Sequence, residues 1–130
     1  MALADDTKSI KCKLNAAGAL PLTASWVEVI TKPGFGVVSA LWTDAQIVFT
    51  TTNGTTPVTV VGTSPAQRNR KLTSLYVVNT TAGSLTFTLY SDDGTNTRDI
   101  LSVALADGDQ LQWAKGKWAV IDQNGKRKIA

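Results

Sequence analysis

The stretch that decides the fold class is residues 72–90, which read LTSLYVVNTTAGSLTFTLY. In its second half every other residue is apolar: Leu85, Phe87 and Leu89. That period of two is typical of a β-strand with one buried face and one solvated face. The first half alternates in the same way, which predicts that Leu72 lies on the opposite face from Leu75. The intervening TTAGS is typical of a turn, so the stretch predicts two β-strands joined by a turn.

The same threonine-rich, β-branched and aromatic composition continues on both sides of this stretch. Further strands are predicted at residues 25–30, 37–42, 47–51, 58–61, 100–105, 111–113 and 118–121. Asn53-Gly54 is expected to close a hairpin between the strands that flank it. Trp113 and Trp118 flank the last turn and are expected to pair across it. About ten short strands with almost no helix predict an all-β fold, a single antiparallel β-sandwich that is jelly-roll-like.

An N-terminal arm is predicted for residues 1–22. Residues 9–14 alternate polar and apolar side chains like a half-buried strand, and residues 15–21 form a small-residue connection. Because the segment shows no helical capping or helical periodicity, we interpret it as an arm or edge element. The sandwich is therefore predicted at residues 23–125, followed by a basic, solvated tail at residues 126–130. We expect deletion of residues 1–22 to leave a folded β domain, because few core contacts would be lost.

The composition excludes several classes of protein. The chain has 130 residues, a formal net charge of +3, one cysteine (Cys12) and no histidine. Histidine-dependent catalysis, most zinc sites and an intramolecular disulfide are therefore excluded. Glu28 is the only glutamate and no pair of catalytic carboxylates can be assigned, so an enzyme is not expected. No apolar run is long enough to span a membrane, and no secretory signal is expected.

Two acidic segments have oxygen ligands at the close spacing found in calcium sites. They are DDGTN at residues 92–96 and DGD at residues 107–109. Neither completes the calcium loop with its terminal bidentate glutamate. Both are therefore interpreted as turns, in which Asp and Gly take their usual positions. We expect neither a metal ion nor a cofactor to bind.

Candidate contacts with a partner come from clustered cations and from one tryptophan. They are Arg68, Arg70, Lys71, Trp42, Ser9, Lys11 and Lys13. The run RNRK at residues 68–71 is predicted in the connection that follows Pro65, either as a contact for an acidic surface or as a solvated loop. Trp42, beside an acidic corner, is the tryptophan expected to be most exposed. Nucleic acid is not expected as a partner, because the cations form short runs rather than a broad basic face.

Residues 58–128 resemble small β-sandwich structural proteins of tailed bacteriophages. The resemblance rests on the order of four segments: PAQRNRKLTSLYVVNT at 65–80, LTFTLY at 85–90, LSVALADGDQL at 101–111 and KWAVIDQNG at 117–125. Proteins of this group decorate the capsid or contribute to tails and fibres, often as trimers. The resemblance implies a virion protein made in the host cytoplasm, with itself and the major capsid protein or another virion protein as partners. It also implies that the N-terminal arm, with Ser9, Lys11 and Lys13, lies over a neighbouring subunit.

The rival hypothesis is a carbohydrate-binding module that recognises host glycans. Its aromatic residues would be Trp26, Trp42, Trp113, Trp118, Tyr76 and Tyr90. Aromatic side chains exposed on a sandwich face can stack on sugar rings, whereas the same residues within strand patterns are typical of core packing. A line of exposed tryptophans would favour the module, and buried tryptophans would favour the structural protein.

Overall fold

The structure is a computed structural model that describes residues 3–30, 45–65 and 68–129. Its strands are β1 (Leu3–Ala4), β2 (Ser9–Leu14), β3 (Pro21–Ile30), β4 (Gln46–Thr51), β5 (Val58–Val61), β6 (Arg68–Val78), β7 (Leu85–Asp92), β8 (Thr97–Leu105), β9 (Gln110–Ala114), β10 (Lys117–Ile121) and β11 (Arg127–Ile129). The described ranges contain no helix of the length and apolar character needed to cross a membrane. The strand predicted at residues 37–42 lies outside these ranges, as does Trp42.

The strands form two antiparallel sheets. The seven-stranded sheet has the order β11-β10-β9-β6-β3-β4, with β1 also paired to β6, and the four-stranded sheet has the order β5-β2-β7-β8. Their inner faces share one cluster of buried apolar side chains, as expected when two sheets stack. The prediction of an all-β protein with antiparallel sheets, consistent with a β-sandwich, is confirmed. Its jelly-roll-like character stays a prediction.

The two strands of residues 72–90 lie in different sheets, β6 in the larger and β7 in the smaller, and β6 has one irregularity. Leu85, Phe87 and Leu89 are buried as expected. Leu72 and Leu75 are both buried as well, although strict alternation predicts that they face opposite ways. The cause is a bulge at Thr73, where β6 carries one more residue than β3 between two successive pairs. A bulge reverses the alternation, so that the strand continues to bury leucines on both sides of it.

The segment from Ser9 to Leu14 is an inner strand. β2 pairs with β5 on one side and with β7 on the other. The side chains of Ile10, Cys12 and Leu14 are at most 2% exposed. The expectation of an arm or edge strand with little apolar surface therefore does not describe β2. The boundary after residue 22 also falls within β3.

The Asn53-Gly54 turn does not close the predicted hairpin. The turn itself forms, with Gly54 at a φ of +56° and a bridge from Asn53 to Thr56. However, β4 pairs with β3 in the larger sheet, whereas β5 pairs with β2 in the smaller one. Gly54 is tied instead to the segment after β2, since its N–H donates to the Gly18 carbonyl oxygen at 2.8 Å. The turn thus carries the chain from one sheet to the other.

The end of the chain is part of the larger sheet. β11 pairs with β10, so residues 127–129 form a strand and not a free tail, although Arg127 and Lys128 are exposed as expected. Lys128 Nζ lies 2.8 Å from Asp109 Oδ2, and Asp109 is 2% exposed. The neighbouring hairpin is as predicted, because Trp113 and Trp118 are paired directly across the β9–β10 turn.

Candidate interaction surfaces

Arg68 and Arg70 lie on β6, not in the connection where they were predicted. The register of β3 and β6 pairs Glu28 with Arg70 and so brings the only glutamate beside two guanidinium groups. Arg68 Nη1 is 2.8 Å from Glu28 Oε2, and Arg70 Nε is 3.2 Å from Glu28 Oε1. The Arg70 guanidinium also stacks over Trp26, with its central carbon 4.4 Å from the ring centre. We call these four residues the arginine–glutamate cluster.

The charges in this cluster largely satisfy one another. The hydrogen bond from Arg68 lowers the pKa of the Glu28 carboxyl, and the bond from Arg70 adds to this effect against the opposing effect of burial. Glu28 is 8% exposed, so its charge is compensated within the chain rather than by solvent. The main role of the two arginines is therefore to compensate the charge of Glu28 within the fold. Arg68 keeps 41% of its side chain exposed and can also contact a partner, and the neighbouring Lys71 is half-buried.

Lys11 and Lys13 lie on the outer face of the four-stranded sheet. Lys11 Nζ forms an ion pair with Asp92 Oδ2 at 2.9 Å, and Lys13 Nζ lies 5.1 Å from the centre of the Tyr90 ring. We call Lys11, Lys13, Tyr90 and Asp92 the lysine–tyrosine face. Hydrogen bonding to Asp92 raises the pKa of Lys11 and lowers that of Asp92. Ser9, which was predicted with the two lysines, is buried beside this face.

The outer face of the seven-stranded sheet is apolar and uncharged next to β4, whereas Lys117 and Arg127 lie beyond Gln112. On β4, Ile47 is 63% exposed and Phe49 is 77% exposed. Cross-strand pairing continues from Phe49 through Thr23 and Tyr76 to Gln112. Directly opposed residues share a face of the sheet. None of the four residues in this row, one from each of four strands, carries a charge. We call the row, together with Ile47, the uncharged face.

The sequence contained a signal for the uncharged face that the prediction missed. Residues 47–49 are three successive apolar residues in a strand. Because successive side chains point to opposite faces, such a run must direct apolar groups to both sides. Val48 packs against the core, so its two neighbours point outward. A buried strand in the middle of a sheet would satisfy this pattern, but β4 is not covered on its outer side by any described residue range.

The two acidic segments form turns, as predicted. Asp93 Oδ1 accepts hydrogen bonds from the N–H groups of Thr95 and Asn96, at 2.8 and 2.6 Å, and these bonds lower the pKa of Asp93. In the other segment, Asp109 Oδ2 accepts from the Ala106 N–H at 2.8 Å in addition to Lys128. Within the described ranges, no group of three or more His, Cys, Asp or Glu side chains could hold a metal ion. That no metal binds stays a prediction.

The described tryptophans do not form an exposed line. Trp113 is buried, Trp118 packs against the core and Trp26 lies beneath Arg70.

Cys12 is buried as well, and its burial raises the pKa of the thiol to about 12, so the reactive thiolate is scarce at neutral pH.

No family model matches the chain, and neither a curated protein nor a solved structure matches it. The resemblance to tailed-phage proteins therefore remains a hypothesis about residues 58–128.

Proposed function

We propose that this chain is a structural protein of a tailed-phage virion, a capsid decoration protein that binds the outer surface of the major capsid protein as a homotrimer. The observation that supports this best is the contrast between the two outer sheet faces. Next to β4, one presents Ile47 and Phe49 among uncharged residues, and the other presents Lys11 and Lys13 over the buried Tyr90 ring. A decoration protein needs two such surfaces, one for its own copies and one for a different protein.

The lysine–tyrosine face is the surface that would meet the capsid protein. Its lysines project from β2, an inner strand held on both sides, so that their positions vary little on binding. Lys13 is exposed and lies over the Tyr90 ring, which is only 4% exposed, so the partner would meet the lysine and not the tyrosine. Such a face is suited to acidic groups on a partner's surface.

The interior is consistent with a protein that must stay folded outside a cell. In the part of the chain that the structure describes, every buried side-chain nitrogen or oxygen atom has a hydrogen-bond partner. Unsatisfied buried polar groups are a common cause of low stability, so their absence from these ranges favours a durable fold. A tail or fibre component would have the same requirement, and the experiment below distinguishes the two locations.

Cosedimentation with virion parts tests this proposal. Wild-type protein should pellet with undecorated capsids, and the double variant Lys11→Gln/Lys13→Gln should bind at least ten-fold more weakly. The double variant Lys115→Gln/Lys126→Gln removes the same charge from exposed turns and should bind like wild type. Binding to isolated tails instead would identify the tail component. Failure to bind either particle would refute the virion role.

A further inference from the structure

β4 is the least protected sheet edge in the described part of the chain. It forms one end of the seven-stranded sheet and pairs there with β3. Proteins commonly protect such edges with charged residues, proline, bulges or very short strands. Two other edge strands are protected by charged residues: β8 carries Arg98 and Asp99, and β11 carries Arg127 and Lys128. β5 is only four residues long. β4 has six residues, none of them charged or proline.

The side chains beside this edge are also the most exposed large apolar groups described. Phe49 is 77% exposed and Ile47 is 63% exposed, whereas Leu3, the next in order, is 45% exposed. Tyr76, which is 38% exposed, extends the apolar surface inward from Phe49 along the same row. In the described part of the chain, an edge strand without charge or proline and an apolar face therefore coincide at one place. Contiguous surfaces of this kind mark sites of protein association.

We propose that the uncharged face at β4 is covered by other copies of this chain, with the rotation axis of the homo-oligomer passing beside Phe49. Near such an axis each residue meets its own copy, so a charged side chain there would face a like charge. The lack of charge on β4 fits this requirement, and the chain as a whole carries a net charge of +3. A strongly acidic or basic partner would instead require complementary charge, which this face does not provide.

The inference rests on the self-association included in the proposed function, but it does not depend on the capsid as a partner. The residues concerned are separate from the lysine–tyrosine face, because they lie on the other sheet. Loss of self-association and loss of capsid binding can therefore be measured independently. The pure protein is sufficient for the first measurement.

Sedimentation velocity of Phe49→Lys tests the inference. We expect wild-type protein to sediment as an oligomer and the variant as a 13.8 kDa monomer with an unchanged circular dichroism spectrum, since Phe49 is already largely exposed in the single chain. Ile100→Lys is the matched control, because Ile100 is exposed on β8 of the other sheet, and this variant should remain oligomeric. A Phe49→Lys oligomer of wild-type size would overturn the inference and leave the virion role intact. A monomeric wild type would overturn it together with the proposed self-association.

A cross-linking experiment locates the axis more closely. Under mild oxidation, Phe49→Cys should form a covalent pair of chains on a non-reducing gel, because copies of residue 49 lie close together near the axis. Cys12 is 0% exposed, so the introduced thiol is the one that reacts. Ile100→Cys should stay uncross-linked. An oligomer in which Phe49→Cys fails to cross-link would show that the axis lies elsewhere.

Discussion

Asn79 joins the two sheets, since its side-chain Nδ2 donates a 2.8 Å hydrogen bond to the main-chain carbonyl oxygen of Leu105 at the end of β8. Asn79 itself directly follows β6 in the other sheet and is 0% exposed. Nδ2 also donates to the Gly83 carbonyl oxygen at 2.8 Å. Oδ1 accepts hydrogen bonds from the N–H and the hydroxyl of Thr81, at 2.9 and 2.7 Å. One amide thus satisfies four polar groups at the corner between the sheets.

We expect Asn79→Leu to lower the free energy of unfolding by about 3 kcal/mol, because it removes four hydrogen bonds, among them the one donated to the buried Leu105 carbonyl group. Urea denaturation monitored by tryptophan fluorescence measures the change. Asn124→Leu, in an exposed turn, is the control and should change the stability by less than about 0.5 kcal/mol. Equal effects of the two substitutions would show that the Asn79 side chain does not join the sheets.

Lys128→Met should lower the free energy of unfolding by about 1 to 2 kcal/mol, because it removes the cation from the buried Asp109 carboxylate. The value is moderate since 41% of the Lys128 side chain is exposed and Asp109 keeps its bond from the Ala106 N–H. The double variant with Asp109→Asn measures the coupling in a double-mutant cycle. Lys126→Met, at an exposed position, should be neutral. Additive effects of Lys128→Met and Asp109→Asn would contradict the ion pair.

The arginine–glutamate cluster predicts a loss of stability in acid. The pKa of Glu28 is lower in the folded chain than its ordinary value of 4.5, so the unfolded chain takes up the proton first. The stabilisation is therefore complete above about pH 4.5 and is lost as the pH falls through the depressed folded value. Glu28→Gln should melt below wild type at pH 7, and the difference should shrink on acidification. A difference that stays constant from pH 7 to pH 3 would exclude this role for Glu28.

Deletion of residues 1–22 should abolish folding, contrary to the expectation from the sequence. The deletion removes β2 from between β5 and β7 and exposes the core that Ile10, Cys12 and Leu14 cover. Removal of residues 1–4 takes away β1 with one small core side chain, Ala4, and should leave a folded chain. Circular dichroism and the presence or absence of a cooperative thermal transition show which of the two truncated chains is folded. A cooperative transition in the longer deletion would show that β2 is dispensable.

Tryptophan quenching tests the carbohydrate-binding alternative. In Trp42→Phe protein, the remaining indoles are Trp26, Trp113 and Trp118, which are buried or half-buried. We expect iodide to quench them several-fold less than free tryptophan. Strong quenching that a host glycan relieves would instead support a carbohydrate-binding module.

The structural features that were predicted correctly from the sequence are those that depend on residues close together in the chain. The alternation of Leu85, Phe87 and Leu89 and the pairing of Trp113 with Trp118 are local, and both were found as expected. The partners of more distant strands were not predictable, because a good turn at Asn53-Gly54 does not determine which sheet the next strand joins. The bulge at Thr73 was hidden for a similar reason, since only its pairing with β3 defines it.

The candidate surfaces were also predicted only in part: their charged residues were visible in the sequence, but the distant residues that contact them were not. The run of cations at residues 68–71 was visible in the sequence, but its carboxylate partner lies 40 residues away from Arg68. A cluster of like charges was therefore mistaken for an exposed loop, although Glu28 neutralises much of it. Lys11 and Lys13 were identified as candidates, yet their setting beside Tyr90 required the register of β2 with β7.

The central position of β2 has a consequence for synthesis on the ribosome. Lys11 and its ion-pair partner Asp92 are 81 residues apart. β2 therefore leaves the ribosome long before β7 has been made and can pair with it. At about 5 to 20 residues per second, the delay is roughly 4 to 16 s. During that time the nascent chain carries Ile10, Cys12 and Leu14 uncovered, and the smaller sheet cannot assemble. Folding of this protein is thus delayed until most of the chain has emerged, and the newly made N-terminal segment is the part that chaperones would have to shield.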